Sequence, residues 1–335
     1  MSGIHVLVVD DSALVRQAFS MLLARSFSVE TAADPLIAER KMTRQKPAVI
    51  VLDLQMPRVD GMTFLRQIMQ RDPIPVVICS TAAERGSETA LRALEEGAVD
   101  LILKPQIGVR EFIEESSTLL IDTITAASQA RVGRTAPPRP RLALPPAVSG
   151  PRVIAVGAST GGTEALREMI EALPSNAPGM LVVQHMPEGF TAAFAKRLNE
   201  TASVEVKEAV YGDAVLPGRV LIAPGNHHML LRRSGDRYYV QVSNGPLVSR
   251  HRPSVDVLFR SVAQAAGANA VGVILTGMGD DGAEGLLEMR EAGARTLAQD
   301  EATSVIFGMP KEAIARGAVM QVLPLPKIAG AIMNM

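Results

Sequence analysis

Short apolar runs alternate with amphipathic stretches along the N-terminal part of the chain. Between the runs, segments such as Ala13–Ala24 and Met62–Arg71 carry apolar residues at helical spacing. The runs themselves predict five strands, Ile4–Val9, Val29–Ala33, Val49–Asp53, Pro75–Cys79 and Val99–Leu103. Strands that alternate with helices in this way predict an α/β domain with a doubly wound, five-stranded parallel sheet.

A second α/β pattern starts at residue 153 and continues to the end of the chain. Tyr238–Val242 follows a Ser-Gly-Asp turn and predicts one arm of a hairpin, and Glu164–Ala172 predicts a helix. The strongest strand signals are Val153–Val156, Met180–Val183, Val220–Ile222 and Ala270–Leu275. We expect a second doubly wound domain with a mostly parallel sheet.

The segment between the two patterns has a different composition. Residues 123–150 contain five prolines and four arginines but no acidic residue. Such a segment has too little apolar surface to fold alone, and proline extends it. We therefore predict a first domain at 1–122, a linker at 123–150 and a second domain at 151–335. A basic docking segment is the alternative interpretation of 123–150.

Composition narrows the possible partners and compartment. The 34 basic and 35 acidic residues give a net charge of -1, so no global basic field attracts nucleic acid. Cys79 is the single cysteine, which excludes an intrachain disulfide and fits a reducing compartment. No apolar run approaches the roughly 20 residues of a membrane span. We expect a cytoplasmic protein with no membrane insertion and no nucleic-acid partner.

Polar side chains stand at the ends of the strands of the first domain. Asp10 and Asp11 follow the first strand and Asp53 ends the third, while Ser80 and Lys104 follow the fourth and fifth. Ligands bind outside the carboxyl ends of such strands, so these groups can converge there. Carboxylates of this kind suit Mg²⁺, and a hydroxyl with an ammonium suits phosphoryl oxygens.

This ordered set resembles the receiver domain of two-component response regulators, which has a flavodoxin/CheY-like fold. The matching motifs are VLVVDDS, VLDLQMPRVDG and LILKP. The resemblance implies that Asp53 is the phosphoacceptor, that Asp10, Asp11 and Asp53 form the metal site for Mg²⁺, and that Ser80 and Lys104 form the phosphoryl switch. Many receivers have an aromatic residue three positions before the lysine, where this chain has Leu101. We therefore do not expect an aromatic switch.

In the second domain a glycine-rich turn follows the first strand. A dinucleotide-binding G-x-G-x-x-G fingerprint would need glycine at position 159, which is Ser159. The serine instead has possible partners at two other strand ends, His185 and one of the acids Asp280 and Asp281. A hydroxyl, an imidazole and a carboxylate are the groups that nucleophilic acyl transfer requires. A metal site at His227, His228 and His251 is less favoured than a structural role in loops, because adjacent histidines cannot easily face one ion.

The second domain also resembles a known family, the catalytic domain of chemotaxis (CheB-type) protein-glutamate methylesterases. The matching motifs are GASTGG, VVQHMP, SRHRPSVDVLF and VILTGMGDDGAEG. The resemblance implies a catalytic triad of Ser159, His185 and Asp281, with Asp281 favoured because family members often have asparagine at position 280. No cofactor is expected for the esterase.

The implied function is phosphorylation-regulated hydrolysis of glutamate methyl esters on methyl-accepting chemotaxis receptors, with release of methanol, and also deamidation of receptor glutamines. The implied phosphodonor is the chemotaxis histidine kinase, and the unphosphorylated receiver is expected to cover the active site. Two competing functions are a DNA-binding response regulator and a catalytically inactive receptor-binding adaptor. The absence of a terminal helix-turn-helix pattern disfavours the first, and labelling by a serine-hydrolase probe would exclude the second.

Overall fold

The computed structural model describes residues 3–56, 60–81, 84–104, 110–133 and 153–335, without the side chains of 84–86 and 110–117. Residue contacts divide the chain into two units, Met1–Pro137 and Pro138–Met335. Most of the predicted linker, from residue 134 to 150, lies outside the described residues. None of the described helices combines the length and the apolar character that crossing a membrane requires.

The first unit contains a five-stranded parallel sheet with strand order β2-β1-β3-β4-β5, which confirms the predicted fold class. Its strands are β1 (His5–Val9), β2 (Ser28–Ala32), β3 (Val49–Asp53), β4 (Val76–Ser80) and β5 (Asp100–Leu103). Every residue of β1, β3 and β4 is buried, because helices cover both faces of a doubly wound sheet. The chain reverses its winding direction between β1 and β3.

Five helices connect and follow these strands. They are α1 (Ala13–Leu23), α2 (Pro35–Arg44), α3 (Gly61–Arg71), α4 (Glu84–Glu95) and α5 (Arg110–Gln129). Helix α5 continues seven residues past the boundary predicted at 122, since Ile124, Ala126 and Ala127 are buried. Leu120, Ile124 and Ala127 are buried at i, i+4 and i+7, the spacing of one helix face, and hold the end of the helix in place.

The second unit contains a seven-stranded parallel sheet with strand order β14-β13-β12-β6-β7-β9-β8. Its strands are β6 (Val153–Ala158), β7 (Gly179–Gln184), β8 (Glu205–Glu208), β9 (Arg219–Ile222), β12 (Ala270–Ile274), β13 (Arg295–Gln299) and β14 (Gln321–Leu323). A separate antiparallel hairpin pairs β10 (His228–Ser234) with β11 (Arg237–Ser243), which confirms the predicted hairpin. The helices are α6 (Gly162–Glu171), α7 (Thr191–Thr201), α8 (Val255–Ala266), α9 (Ala283–Glu291), α10 (Met309–Ala315) and α11 (Leu325–Met333).

The strand order of this sheet reverses at its middle. Strand β6 pairs with β7 on one side and with β12 on the other, so the winding direction reverses beside β6. Open α/β sheets bind ligands where the strand order reverses, because the connections there diverge to opposite faces. The residues that directly follow β6, β7 and β12 therefore border the position where a ligand is expected.

Candidate active site

Ser159 lies in the turn between β6 and α6. Its N–H donates to the Thr276 carbonyl at 3.0 Å, and its own carbonyl accepts from Gly162 N–H at 2.7 Å. Gly277 packs against the serine so closely that a Cβ on Gly277 would lie 2.7 Å from the Ser159 Cβ. These contacts fix the serine backbone at the end of β6, with the side chain half-buried.

His185 follows β7, the strand next to β6. Its N–H donates to the Ala158 carbonyl at 3.0 Å, and Gln184 Nε2 donates to the carbonyls of both Ser159 and His185. Strands β6 and β7 are paired, with Ala158 opposite Gln184, so Ser159 and His185 follow adjacent strand ends. Neighbouring strands lie about 4.8 Å apart. Gln184 is not among the predicted site residues, and its position at the end of an otherwise apolar strand is the only sign of it in the sequence.

Asp281 comes from the loop after β12 and reaches the same histidine. Its Oδ2 lies 2.8 Å from His185 Nε2. A carboxylate can only accept, so the ring proton is on Nε2 and the other ring nitrogen of a neutral imidazole carries a lone pair. That nitrogen, Nδ1, is buried and has no hydrogen-bond partner within the described part of the chain. No hydrogen bond joins Ser159 Oγ to His185 among the described residues.

The start of helix α8 surrounds the Asp281 carboxylate with donors. Ser254 Oγ donates to Oδ1 at 2.7 Å, Val255 N–H donates to Oδ2 at 2.7 Å and Asp256 N–H donates to Oδ1 at 3.1 Å. Burial alone would raise the pKa of this carboxyl, but the hydrogen bonds and the His185 charge outweigh burial, and the pKa lies below its ordinary value. The carboxylate is therefore ionised although it is only 1% exposed.

Gly282, directly after Asp281, allows the Asp281 loop to pack closely against the start of helix α8. Gly282 has a φ of 94°, and a Cβ at this position would lie 2.5 Å from Val255 Cγ1. Only glycine combines the left-handed backbone with such close contact to helix α8. The DG pair in the sequence was the available signal for this turn.

Asp280 is placed elsewhere. Its side chain is exposed, and its Oδ2 accepts a hydrogen bond from Arg316 Nη2 at 2.9 Å, just after helix α10. It has no contact with His185 among the described hydrogen bonds. Of the two acids that spacing left open, Asp281, which the family resemblance favours, is the one beside the imidazole.

The three other histidines of this domain have different surroundings. His251 stacks on His185 with ring centroids 3.7 Å apart and an interplanar angle of 6°. His228 is buried in β10 and accepts the Ser254 N–H at Nδ1, while His227 Nδ1 faces the Gly225 carbonyl. The prediction of a purely structural loop role therefore misses the contact of His251 with the site, and the sequence alone gave no sign of it.

The first unit has its own polar cluster at the carboxyl edge of its sheet. Asp10 and Asp53 are buried, Asp11 is exposed, and single carboxylate oxygens of the three lie within 4.8 Å of one another. Lys104 Nζ lies 2.7 Å from Asp53 Oδ2 and 3.1 Å from Asp10 Oδ2. Ser80 is buried at the end of β4, and its carbonyl accepts the Lys104 N–H at 2.9 Å. The three acids and the Lys104 ammonium thus lie around one position, and Ser80 lies at the neighbouring strand end.

Charges in this cluster influence one another. Burial raises the pKa of Asp10, although the Ser12 N–H and the Lys104 charge oppose that effect. Burial would lower the pKa of Lys104, but the hydrogen bond and charge of Asp53 outweigh it, and that pKa is raised. Asp10 Oδ2 is buried and accepts no hydrogen bond of good geometry in the described structure. A buried carboxylate oxygen of this kind, next to two further carboxylates, fits a Mg²⁺ ligand.

Both halves of the chain match known protein families. Residues 154–332 match the CheB methylesterase family model, and residues 6–115 match the response regulator receiver domain model. The chain is 58% identical over 356 residues to a protein-glutamate methylesterase/protein-glutamine glutaminase of Rhodospirillum rubrum, a match that covers 99% of this chain and 98% of that protein. A protein of the same name from Anaeromyxobacter dehalogenans is 57% identical, with 99% of this chain and 96% of that protein covered.

A solved structure is also similar to the second unit. The crystal structure of the Thermotoga maritima CheB methylesterase catalytic domain superimposes with a TM-score of 0.54 and 39% identity, covering 56% of this chain and 99% of that domain. The curated relatives match over nearly their whole length, and the two family models occupy separate parts of the chain in the predicted order. The chain therefore belongs to the CheB family of protein-glutamate methylesterases, with a response regulator receiver domain preceding the catalytic domain.

Proposed function

We propose that this chain hydrolyses glutamate methyl esters on methyl-accepting chemotaxis receptors and deamidates receptor glutamines. The observation that supports this most strongly is the 2.8 Å contact between His185 Nε2 and Asp281, which leaves a buried Nδ1 with no hydrogen-bond partner among the residues that the structure describes. The relatives named as methylesterase/glutaminase align over the full chain and agree with this reaction.

In the proposed mechanism, His185 Nδ1 accepts the Ser159 hydroxyl proton while Ser159 Oγ attacks the ester carbonyl. Asp281 stabilises the imidazolium that forms and holds its orientation. The tetrahedral intermediate collapses, the bond to the methoxy oxygen breaks, and methanol leaves with the proton from His185. Water then attacks the acyl-enzyme, again through His185, and releases glutamate. A glutamine substrate follows the same path and releases ammonia.

We further propose that phosphorylation of Asp53 by a histidine kinase regulates this activity. Asp10, Asp11 and Asp53 would hold Mg²⁺, which when bound offsets the mutual repulsion of the carboxylates and the phosphoryl group. Lys104 already contacts Asp53, and its ammonium would bind the oxygens of the phosphoryl group. The hydroxyl of Ser80, at the end of the neighbouring strand, would donate a hydrogen bond to the same oxygens. The added charge changes the electrostatics at this sheet edge and provides the switch.

The decisive experiment measures methanol release from methylated receptor membranes by the full-length protein. Ser159→Ala removes the proposed nucleophile and is expected to reduce release to the background without enzyme. Ser234→Ala, an exposed serine of the same domain, is the control and is expected to keep wild-type activity. Activity retained by Ser159→Ala would exclude the proposed mechanism.

A further inference from the structure

His251 covers one face of the imidazole that the proposed mechanism uses. Its ring lies parallel to that of His185, at 6° and with 3.7 Å between centroids. Asp281 holds the same imidazole at its edge, through Nε2. The hydrogen bond to Asp281 alone does not fix the plane of the His185 ring, because the ring can still rotate about the N–H···O axis. A second ring stacked on its face removes that rotation.

The backbone around His251 is held in an unusual turn. Val248 and His251 form an antiparallel bridge, and the two residues between them have positive φ values of 49° for Ser249 and 66° for Arg250. Neither of these is glycine, so the left-handed backbone is strained at both positions. Backbone strain of this kind persists only where surrounding contacts enforce it, and here the strained turn presents His251 to His185.

Side-chain contacts anchor this turn to the same helix start that holds Asp281. His251 Nδ1 lies 2.6 Å from the Ser249 carbonyl, which accepts, so Nδ1 carries the ring proton. Ser249 Oγ in turn lies 3.4 Å from Asp256 Oδ2 in the first turn of α8. The carboxylate that binds the edge of the His185 ring and the ring that stacks on its face are therefore both anchored to the start of helix α8.

His251 also remains uncharged in this position. The titratable and charged groups that face it are His185, Asp281 and Arg250. Burial, together with repulsion from His185 whenever that ring is protonated, outweighs the attraction of Asp281 and lowers the pKa of His251 to about 3. A neutral aromatic face is a favourable neighbour for a cation. The charge that forms on His185 during proton transfer thus remains on that ring, with a neutral ring against it.

We infer that His251 is a positioning residue, which fixes the ring plane of His185 so that Nδ1 points towards Ser159. This inference rests on the proposed function, since it assigns His185 the role of base. It requires a flat ring at position 251 rather than an ionisable one. A ring-shaped replacement should therefore preserve the role, and an aliphatic replacement of similar volume should not.

The test compares His251→Leu with His251→Phe in the full-length protein, using methanol release and the labelling rate of Ser159 by a fluorophosphonate probe. His251→Leu is expected to lower kcat and the labelling rate at least about tenfold with KM unchanged, because a misplaced base slows proton transfer. His251→Phe is expected to stay within about threefold of wild type in both. His227→Leu is the matched control, because His227 has the same ring contact to a carbonyl two residues earlier, while no hydrogen bond or ring stacking of the described residues joins it to His185.

Each other outcome has a defined meaning. Wild-type values in His251→Leu would overturn the inference, as would equal losses in both variants with an unchanged Tm, since the stacked plane would then not be the cause. Loss of folded protein in both variants also overturns it, because His251 would then support the fold rather than one ring. If the probe fails to label the wild-type protein, or if Ser159→Ala stays active, the proposed function fails instead.

Discussion

Asp281 and Ser254 form a 2.7 Å hydrogen bond that connects the candidate active site to the start of helix α8. Ser254 is the N-cap of this helix and also accepts from Val257 N–H. Asp281 accepts from two further backbone N–H groups of the same helix start. The carboxylate that orients His185 thus also satisfies donors that a helix N-terminus leaves unpaired. Orientation of the imidazole and stability of α8 depend on the same group.

Asp281→Asn tests this dual role. We expect kcat for methanol release to fall by roughly 10³-fold or more, because an amide no longer fixes the ring proton on Nε2 and does not stabilise the imidazolium. The matched control is Asp280→Asn, which changes the neighbouring exposed acid that pairs with Arg316. It is expected to keep activity within about twofold of wild type. A large loss in the Asp280 variant alone would reverse the assignment of the acid.

Ser254→Ala tests whether one hydroxyl supports both the cap of helix α8 and the orientation of Asp281. The variant loses the N-cap side chain of α8, which should lower the free energy of unfolding by about 1 kcal/mol. It also loses one hydrogen bond to the charged Asp281, worth about 1.5 kcal/mol, so kcat should fall about tenfold. Ser254→Thr keeps the hydroxyl and should recover most of both losses. Urea unfolding and methanol release measure the two effects, and an Ala variant with unchanged kcat would contradict the link.

The pH dependence of stability should reveal the ionised Asp281. Because its pKa is lower in the folded protein than the ordinary value of about 3.9, the folded state favours the carboxylate. The resulting stabilisation is fully present above the ordinary value and is lost as the pH falls through the folded-state pKa. The difference in free energy of unfolding between wild type and Asp281→Asn should therefore shrink below about pH 4.

Asp256, in the same turn of helix α8, should show the opposite pH dependence of stability. Burial raises the pKa of its carboxyl, so its ionised form destabilises the folded protein at neutral pH. The stability of the wild type relative to Asp256→Asn should rise as the pH falls through that raised value. Urea unfolding at several pH values measures both series, and parallel trends for Asp281 and Asp256 would refute the assigned ionisation states.

Asp53→Asn tests the proposed regulation. The variant should lose activation of methanol release by acetyl phosphate with Mg²⁺ and keep the basal activity, because an amide does not accept the phosphoryl group. Asp60→Asn is the control, since Asp60 is exposed and caps helix α3 through an oxygen that asparagine also has. Activation that persists in Asp53→Asn would point to a different phosphoacceptor.

Apolar runs predict most of the strands, since strands such as β1, β3 and β4 are buried along their whole length, but β8, β13 and β14 are short or partly polar and carry no such signal. The predicted Val49–Asp53 agrees with β3, and the other predicted strands lie within two residues of the observed bounds at either end. The positions of Asp10, Asp53, Ser159 and His185 at strand ends follow directly from these runs. The run of Ile124 to Ala127 was assigned to a linker, since the proline-rich composition that follows it outweighed its helical spacing.

The order of apolar runs along the chain was enough to determine two doubly wound domains and to place the chemically important side chains at their carboxyl edges, because burial of a parallel strand requires apolar residues throughout. Spacing left Asp280 and Asp281 open and the family resemblance favoured Asp281, but only the tertiary structure shows what surrounds that acid and that His251 covers the imidazole. These contacts join segments far apart in the chain, through turns whose direction depends on packing against helix α8 rather than on local sequence preference. Spacing in a sequence carries no information about such directions.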